Sequence, residues 1–126
     1  MRSAALIVAA FLGFALAASY PVNASAAEYG AIAYDSNAGK IGWSWHAPTI
    51  AAANTAAFNA CGGSAGCKVV IEIGPGLCGA LATGQNPAVW GAASRNTRDA
   101  AALGAMEDCQ KANRGQCKVQ GSDCNK

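Results

Sequence analysis

The chain has 126 residues, nine Lys and Arg against seven Asp and Glu, a formal net charge of +2, 52% hydrophobic residues and six cysteines. That length holds one domain or two very small ones and excludes multidomain machinery. Without a basic surplus the chain lacks the electrostatic footprint of a phosphate-backbone binder, which argues against a nucleic-acid partner, and no apolar run reaches the roughly 20 residues of a membrane span.

The first 26 residues read as an export signal. Arg2 supplies a short basic start, residues 4–18 are an apolar run, and Tyr20, Pro21 and Asn23 break it before the small residues of Ala24-Ser25-Ala26. This is the order a signal peptidase reads, so cleavage is predicted after Ala26, leaving a single exported domain over residues 27–126 with no membrane attachment. The predicted location is secreted or periplasmic. All six cysteines, Cys61, Cys67, Cys78, Cys109, Cys117 and Cys124, fall in this part. An even number of cysteines in an oxidising compartment predicts three disulfides, useful to a small domain whose core offsets its chain entropy poorly. A zinc site would call for Cys-x-x-Cys pairs or clustered histidines. Here the nearest pair is Cys61-x5-Cys67 and His46 is the sole histidine, so neither metal nor cofactor is expected.

An internal repeat organises the exported part. Gly30-Ala31-Ile32-Ala33 matches Gly79-Ala80-Leu81-Ala82, and Ile41-Gly42 matches Trp90-Gly91 at the same offset. Thr49 opens an Ala-rich stretch ending at Cys61, as Thr97 opens one ending at Cys109, and Cys67-Lys68-Val69 then answers Cys117-Lys118-Val119. Two copies of one unit are present, about 29–73 and 78–124.

In chain order, residues 30–34 and 41–45 are β-prone runs joined by the turn formers Asp35-Ser36-Asn37-Ala38-Gly39. By the period of two, Ile41, Trp43 and Trp45 share one face and Gly42, Ser44 and His46 the other. Thr49 is the predicted N-cap of a helix running to Cys61, stopped by Gly62-Gly63. A third strand follows, with Val69, Ile71 and Ile73 alternating against Lys68 and Glu72. The second copy repeats the order: a strand over 79–83, the turn Gly84-Gln85-Asn86-Pro87, a strand opening at Trp90-Gly91, a helix capped by Asn96 or Thr97, and a polar last strand over 118–124. The contrast between the two last strands predicts one central and one edge position. The fold class is α+β, two tandem strand-strand-helix-strand repeats packed as one disulfide-stabilised domain.

Repeat symmetry also proposes the pairing. Cys61 with Cys67 and Cys109 with Cys117 would make equivalent bonds, leaving Cys78 for Cys124 by elimination; symmetry is the sole argument among many possible connectivities.

Tyr29-Gly30-Ala31-Ile32-Ala33, Gly42-Trp43-Ser44-Trp45, the Ala51-Ala52-Ala53 run to Cys61, and Cys78-Gly79-Ala80-Leu81-Ala82 together resemble the domain-of-unknown-function family 4189. The likeness spans nearly all of the exported part. It implies a small exported bacterial protein and brings no catalytic residues to carry over. The second copy departs from the tryptophan-rich form of the first, reading Trp90-Gly91-Ala92-Ala93.

Several residues invite a chemical reading. Gly74-Pro75-Gly76-Leu77-Cys78-Gly79 has the G-x-G-x-x-G spacing, but a strand follows where a nucleotide site needs a helix, so a plain turn is expected. Ser44 and His46 nearly imitate a nucleophile elbow, yet the final glycine is missing and no carboxylate to orient His46 is evident nearby. Trp43, Trp45 and Trp90 suit either the core, packed against the Ala-rich helix, or an exposed platform for a sugar or a partner. Asp35, Glu72, Asp99, Glu107, Asp108 and Asp123 are expected on the solvated surface.

The expectation is therefore a non-enzymatic exported binding domain that engages another protein, as an effector or an inhibitor, with Trp43, Trp45, Trp90 and His46 as candidate contact residues. A carbohydrate or cell-wall binder using the tryptophans is the first alternative. A small hydrolase using Ser44 and His46 is the second.

Overall fold

The computed structural model describes residues 27–112 and 115–126. The predicted export signal over residues 1–26 lies outside the described residues. Eight elements follow in order: β1 (Tyr29–Asp35), β2 (Lys40–Ala47), α1 (Ile50–Ala60), β3 (Cys67–Ile73), β4 (Cys78–Thr83), β5 (Trp90–Arg95), α2 (Arg98–Ala112) and β6 (Lys118–Cys124). They form two antiparallel three-stranded sheets, ordered β2-β1-β3 and β5-β4-β6, each with its own helix. The α+β class and the duplicated strand-strand-helix-strand unit are thus seen in the fold.

Local chemistry repeats as closely as the topology. The Thr49 hydroxyl accepts the Ala52 N–H at 3.0 Å and the Thr97 hydroxyl accepts the Ala100 N–H at 3.1 Å, so each helix opens on a threonine cap. Each sheet also carries a bulge at the same place. The β1–β3 register slips between Ile32 and Ala33 and the β4–β6 register between Leu81 and Ala82, leaving Val70 and Gln120 as the extra residues.

Small side chains bring each helix down onto its sheet. Ala31, Ala33, Ala53 and Ala57 are buried together on one side of the first sheet, and Ala80, Ala82, Ala101 and Ala105 on the corresponding side of the second. Gly42 has no room for a side chain, because a Cβ there would run into the Ala57 carbonyl and the Cys61 amide; Gly91 meets the Ala105 carbonyl and the Cys109 amide in the same way. The expectation that the tryptophans pack against the Ala-rich helix is corrected here. The helix takes the alanine and glycine face, and the large residues take the opposite one.

Those large residues meet between the two sheets. Ile32, Tyr34, Ile73 and Leu81 form the buried centre, with Ile41, Trp43, Trp45, Val70, Ile71, Leu77, Trp90 and Ala92 packed against it. The layers therefore run helix, sheet, sheet, helix, with the apolar area between the sheets supplying the drive to stack them. The first copy supplies bulk and the second supplies space. The Ile73 side chain fills the volume a Cβ at Gly79 would need, and the Trp43 ring stands 3.1 Å from the same point at Gly121.

β3 and β6 are both edge strands, since β1 and β4 occupy the sheet centres. This corrects the central-versus-edge expectation. β3 is apolar because Val70, Ile71 and Ile73 face the other sheet, not because it has two strand neighbours. Disulfides join Cys61 to Cys67, Cys109 to Cys117 and Cys78 to Cys124, the pairing that repeat symmetry proposes. The first two tie each helix end to its next strand, and the third fastens the start of β4 to the end of β6. Residues 74–77 form a turn closed by the Leu77 N–H on the Gly74 carbonyl, with Gly76 at φ 71°, in keeping with the plain-turn reading of the G-x-G-x-x-G stretch.

Candidate ligand-binding cleft

Both hairpin turns lie at the same end of the stacked sheets, and a cleft of about 210 Å³ opens there. Its wall begins with Tyr34, near the end of β1. This side chain is buried, its hydroxyl donates to the Pro87 carbonyl at 2.6 Å, and its ring meets Trp90 edge to face at 5.9 Å. Burial, and secondarily the neighbouring Asp35 charge, raise the Tyr34 pKa above 10.0, so the neutral phenol that makes the Pro87 bond is favoured. Lys68 and Val70 enter from β3, Ser36 and Asn37 from the β1–β2 turn, and Ala65 and Gly66 from the loop before β3.

Asp35 sits just behind this wall. It is buried, contrary to the expected solvated position, because its carboxylate closes the turn: Oδ1 accepts the Asn37 N–H at 2.9 Å and the Ala38 N–H at 3.1 Å. The carboxylate's work is local. Lys68 makes no ion pair among the described residues.

The residues singled out in the sequence separate into two groups. Trp90 lines the cleft. Trp43 and Trp45 are half-buried and stack with ring centroids 6.5 Å apart against the inter-sheet core. Ser44 is buried beneath α1, where its hydroxyl donates to the Ala53 carbonyl at 2.6 Å and accepts the Ala31 N–H at 3.1 Å. That hydroxyl is occupied by backbone groups. His46 stands at the opposite end of the strands from the cleft, exposed, with a left-handed backbone at φ 58°.

A carboxylate does meet His46, against expectation: Glu28 Oε2 lies 2.7 Å from His46 Nδ1. Glu28 precedes β1 and reaches the end of β2 because the two strands are antiparallel neighbours. The pair is half-exposed and touches neither Ser44 nor the cleft. The His46 amide donates instead to Asn125 Oδ1 at 3.1 Å. Asn125 is itself buried and gives its side-chain N–H groups to the Ile73 and Gly74 carbonyls, a knot that pins the chain end to the first copy.

Tyr34, Lys68, Ser36 and Asn37 are cleft residues that the sequence reading passed over. One signal was available: Lys68 and Lys118 both follow a disulfide cysteine at the same repeat position. The rest depends on how the sheets stack.

Among solved structures, the chain is similar to the NMR structure of Rv1813c from Mycobacterium tuberculosis, with 24% identity, a TM-score of 0.54 and 99% of each chain covered. That likeness speaks for the fold alone. No curated protein matches the chain. The family model described as Domain of unknown function (DUF4189) matches residues 29–124, and with the duplicated unit and its three disulfides in place the chain belongs to that family.

Proposed function

We propose that this chain is an extracytoplasmic binding domain, secreted or periplasmic, that holds one ring-sized group of an external partner in the Trp90 cleft and performs no chemistry on it. Three disulfides in so small a domain support the oxidising location. The observation that carries the binding role is the cleft itself, where a half-buried indole, a lysine with no ion pair among the described residues and two polar turn residues converge. Against catalysis, the one serine near a histidine in sequence spends its hydroxyl on backbone groups beneath a helix.

Affinity capture from the native periplasm or medium with wild-type and Trp90→Ala baits tests the reading. A species held by the wild-type and lost by the variant is expected. Equal retention by both baits, or a hydrolytic activity abolished by Ser44→Ala or His46→Ala in folded protein, contradicts it.

A further inference from the structure

Duplication provides an internal comparison for the cleft. Repeat equivalence relates Tyr34 to Thr83, Lys68 to Lys118, Val70 to Gln120, and Trp90 to Ile41. The second set also gathers at the hairpin end, where Ile41, Thr83 and Gln120 line one hollow and Thr83, Lys118 and Gln120 an adjoining one. In that copy Gln120 Nε2 donates to Thr83 Oγ1 at 2.7 Å, so these two groups satisfy each other, and Lys118 beside them makes no ion pair among the described residues. The first copy is different. Ser36, Asn37, Lys68 and Trp90 line its cleft, and the polar groups of their side chains have no hydrogen-bond or ion-pair partner among the described residues.

Resting on the binding role argued above, we propose that the first cleft recognises a sugar acid: one hydroxylated ring bearing a carboxylate. Its volume of about 210 Å³ is below the roughly 300–1,000 Å³ of sites for drug-sized ligands, which suits a single ring. The indole and Val70 offer an apolar wall to the C–H surface of the ring. Lys68 supplies the single positive charge for the carboxylate. Ser36, Asn37 and the indole N–H answer hydroxyls. An anchoring phenyl ring from a protein partner would use the same wall but leave those polar groups unanswered, so the donor set favours the sugar acid. The same ring could arrive free or as a residue of an acidic glycan.

The test is a titration of the exported chain, followed through the Trp90 indole N–H signal by NMR, with D-glucuronate, D-glucose, a hyaluronan tetrasaccharide and N-acetyl-Phe-Glu. D-glucuronate is expected to move the signal saturably, with glucose binding about tenfold more weakly because it offers Lys68 no charge. Lys68→Gln, an exposed substitution, should erase that tenfold difference, whereas Lys118→Gln should preserve it. Tighter binding of the tetrasaccharide would assign the ring to a glycan, and equal binding to a free acid. Equal response to glucose and glucuronate, or no saturable shift with either, overturns the inference. A response to N-acetyl-Phe-Glu without one to glucuronate overturns it too, while leaving the cleft as the binding site. Capture that ignores Trp90→Ala defeats the binding role as well.

Discussion

Glycine at positions 42 and 91 decides how closely each helix approaches its sheet. A methyl group at either site would collide with helix backbone, which cannot rotate away as a flexible side chain can. Gly42→Ala and Gly91→Ala are each expected to lower stability by about 1–3 kcal/mol in urea unfolding, the usual cost of overpacking. Ser44 acts at the same layer. Ser44→Ala strands the buried Ala31 N–H and Ala53 carbonyl contacts of the hydroxyl, and a loss of about 1–3 kcal/mol is expected in the same measurement. Tyr34 adds a pH dependence. Its pKa is raised in the folded chain, so its share of stability is intact below the unfolded value near 10.0 and drains away as pH rises through the higher folded value. Tyr34→Phe should flatten the fall in stability above pH 10.0, read as the wild-type-minus-variant difference in urea midpoints across that window.

Elements were largely legible because their signals are local. Thr49 and Thr97 cap helices through their own hydroxyls, the turn formers at residues 35–39 close a hairpin, and equivalent cysteines pair within each copy. The misread strand shows the limit. β3 looked central because Val69, Ile71 and Ile73 are apolar, but an edge strand covered by a helix on one face, at Val69, and by a second sheet on the other, at Ile71 and Ile73, has the same composition. The bulges at Val70 and Gln120 were equally hidden, since an extra residue shows only when its partner strand is known. They distort two edge strands, which discourages pairing with other chains. Among the disulfides, the chain-entropy model separates long from short closures. Cys78–Cys124 spans 46 residues and Cys61–Cys67 spans 6. Removal of the long closure, as Cys78→Ala with Cys124→Ala, is expected to cost about 4 kcal/mol and of the short one about 2 kcal/mol, measured by urea unfolding.

At the scale of the molecule, the two copies are alike where they hold their helices and unlike where they hold each other. Ala31 and Ala33 recur as Ala80 and Ala82 on the helix side, whereas Ile71 recurs as Gly121 and Trp43 as Ala92 on the shared side. The small residues Ala92 and Ser94, standing where the first copy has Trp43 and Trp45, are thus packing complementarity: two such bulky faces could not both fit in one interface. Periodicity placed Trp43 and Trp45 on the correct face of β2 but could not say what that face meets. Knowing the partner sheet also explains the candidate site. Trp43 and Trp45 are used up between the sheets, and Trp90, at the hairpin end beside Tyr34, is left facing the cleft. Proton–proton NOEs in the labelled protein test this stacking most directly. The account predicts cross-peaks from the Ile73 δ1 methyl to the Gly79 α protons and from the Trp43 ring to the Gly121 α protons. Contacts from Trp43 to the Ala53 and Ala57 methyls of the helix, with those to the glycines missing, would contradict it.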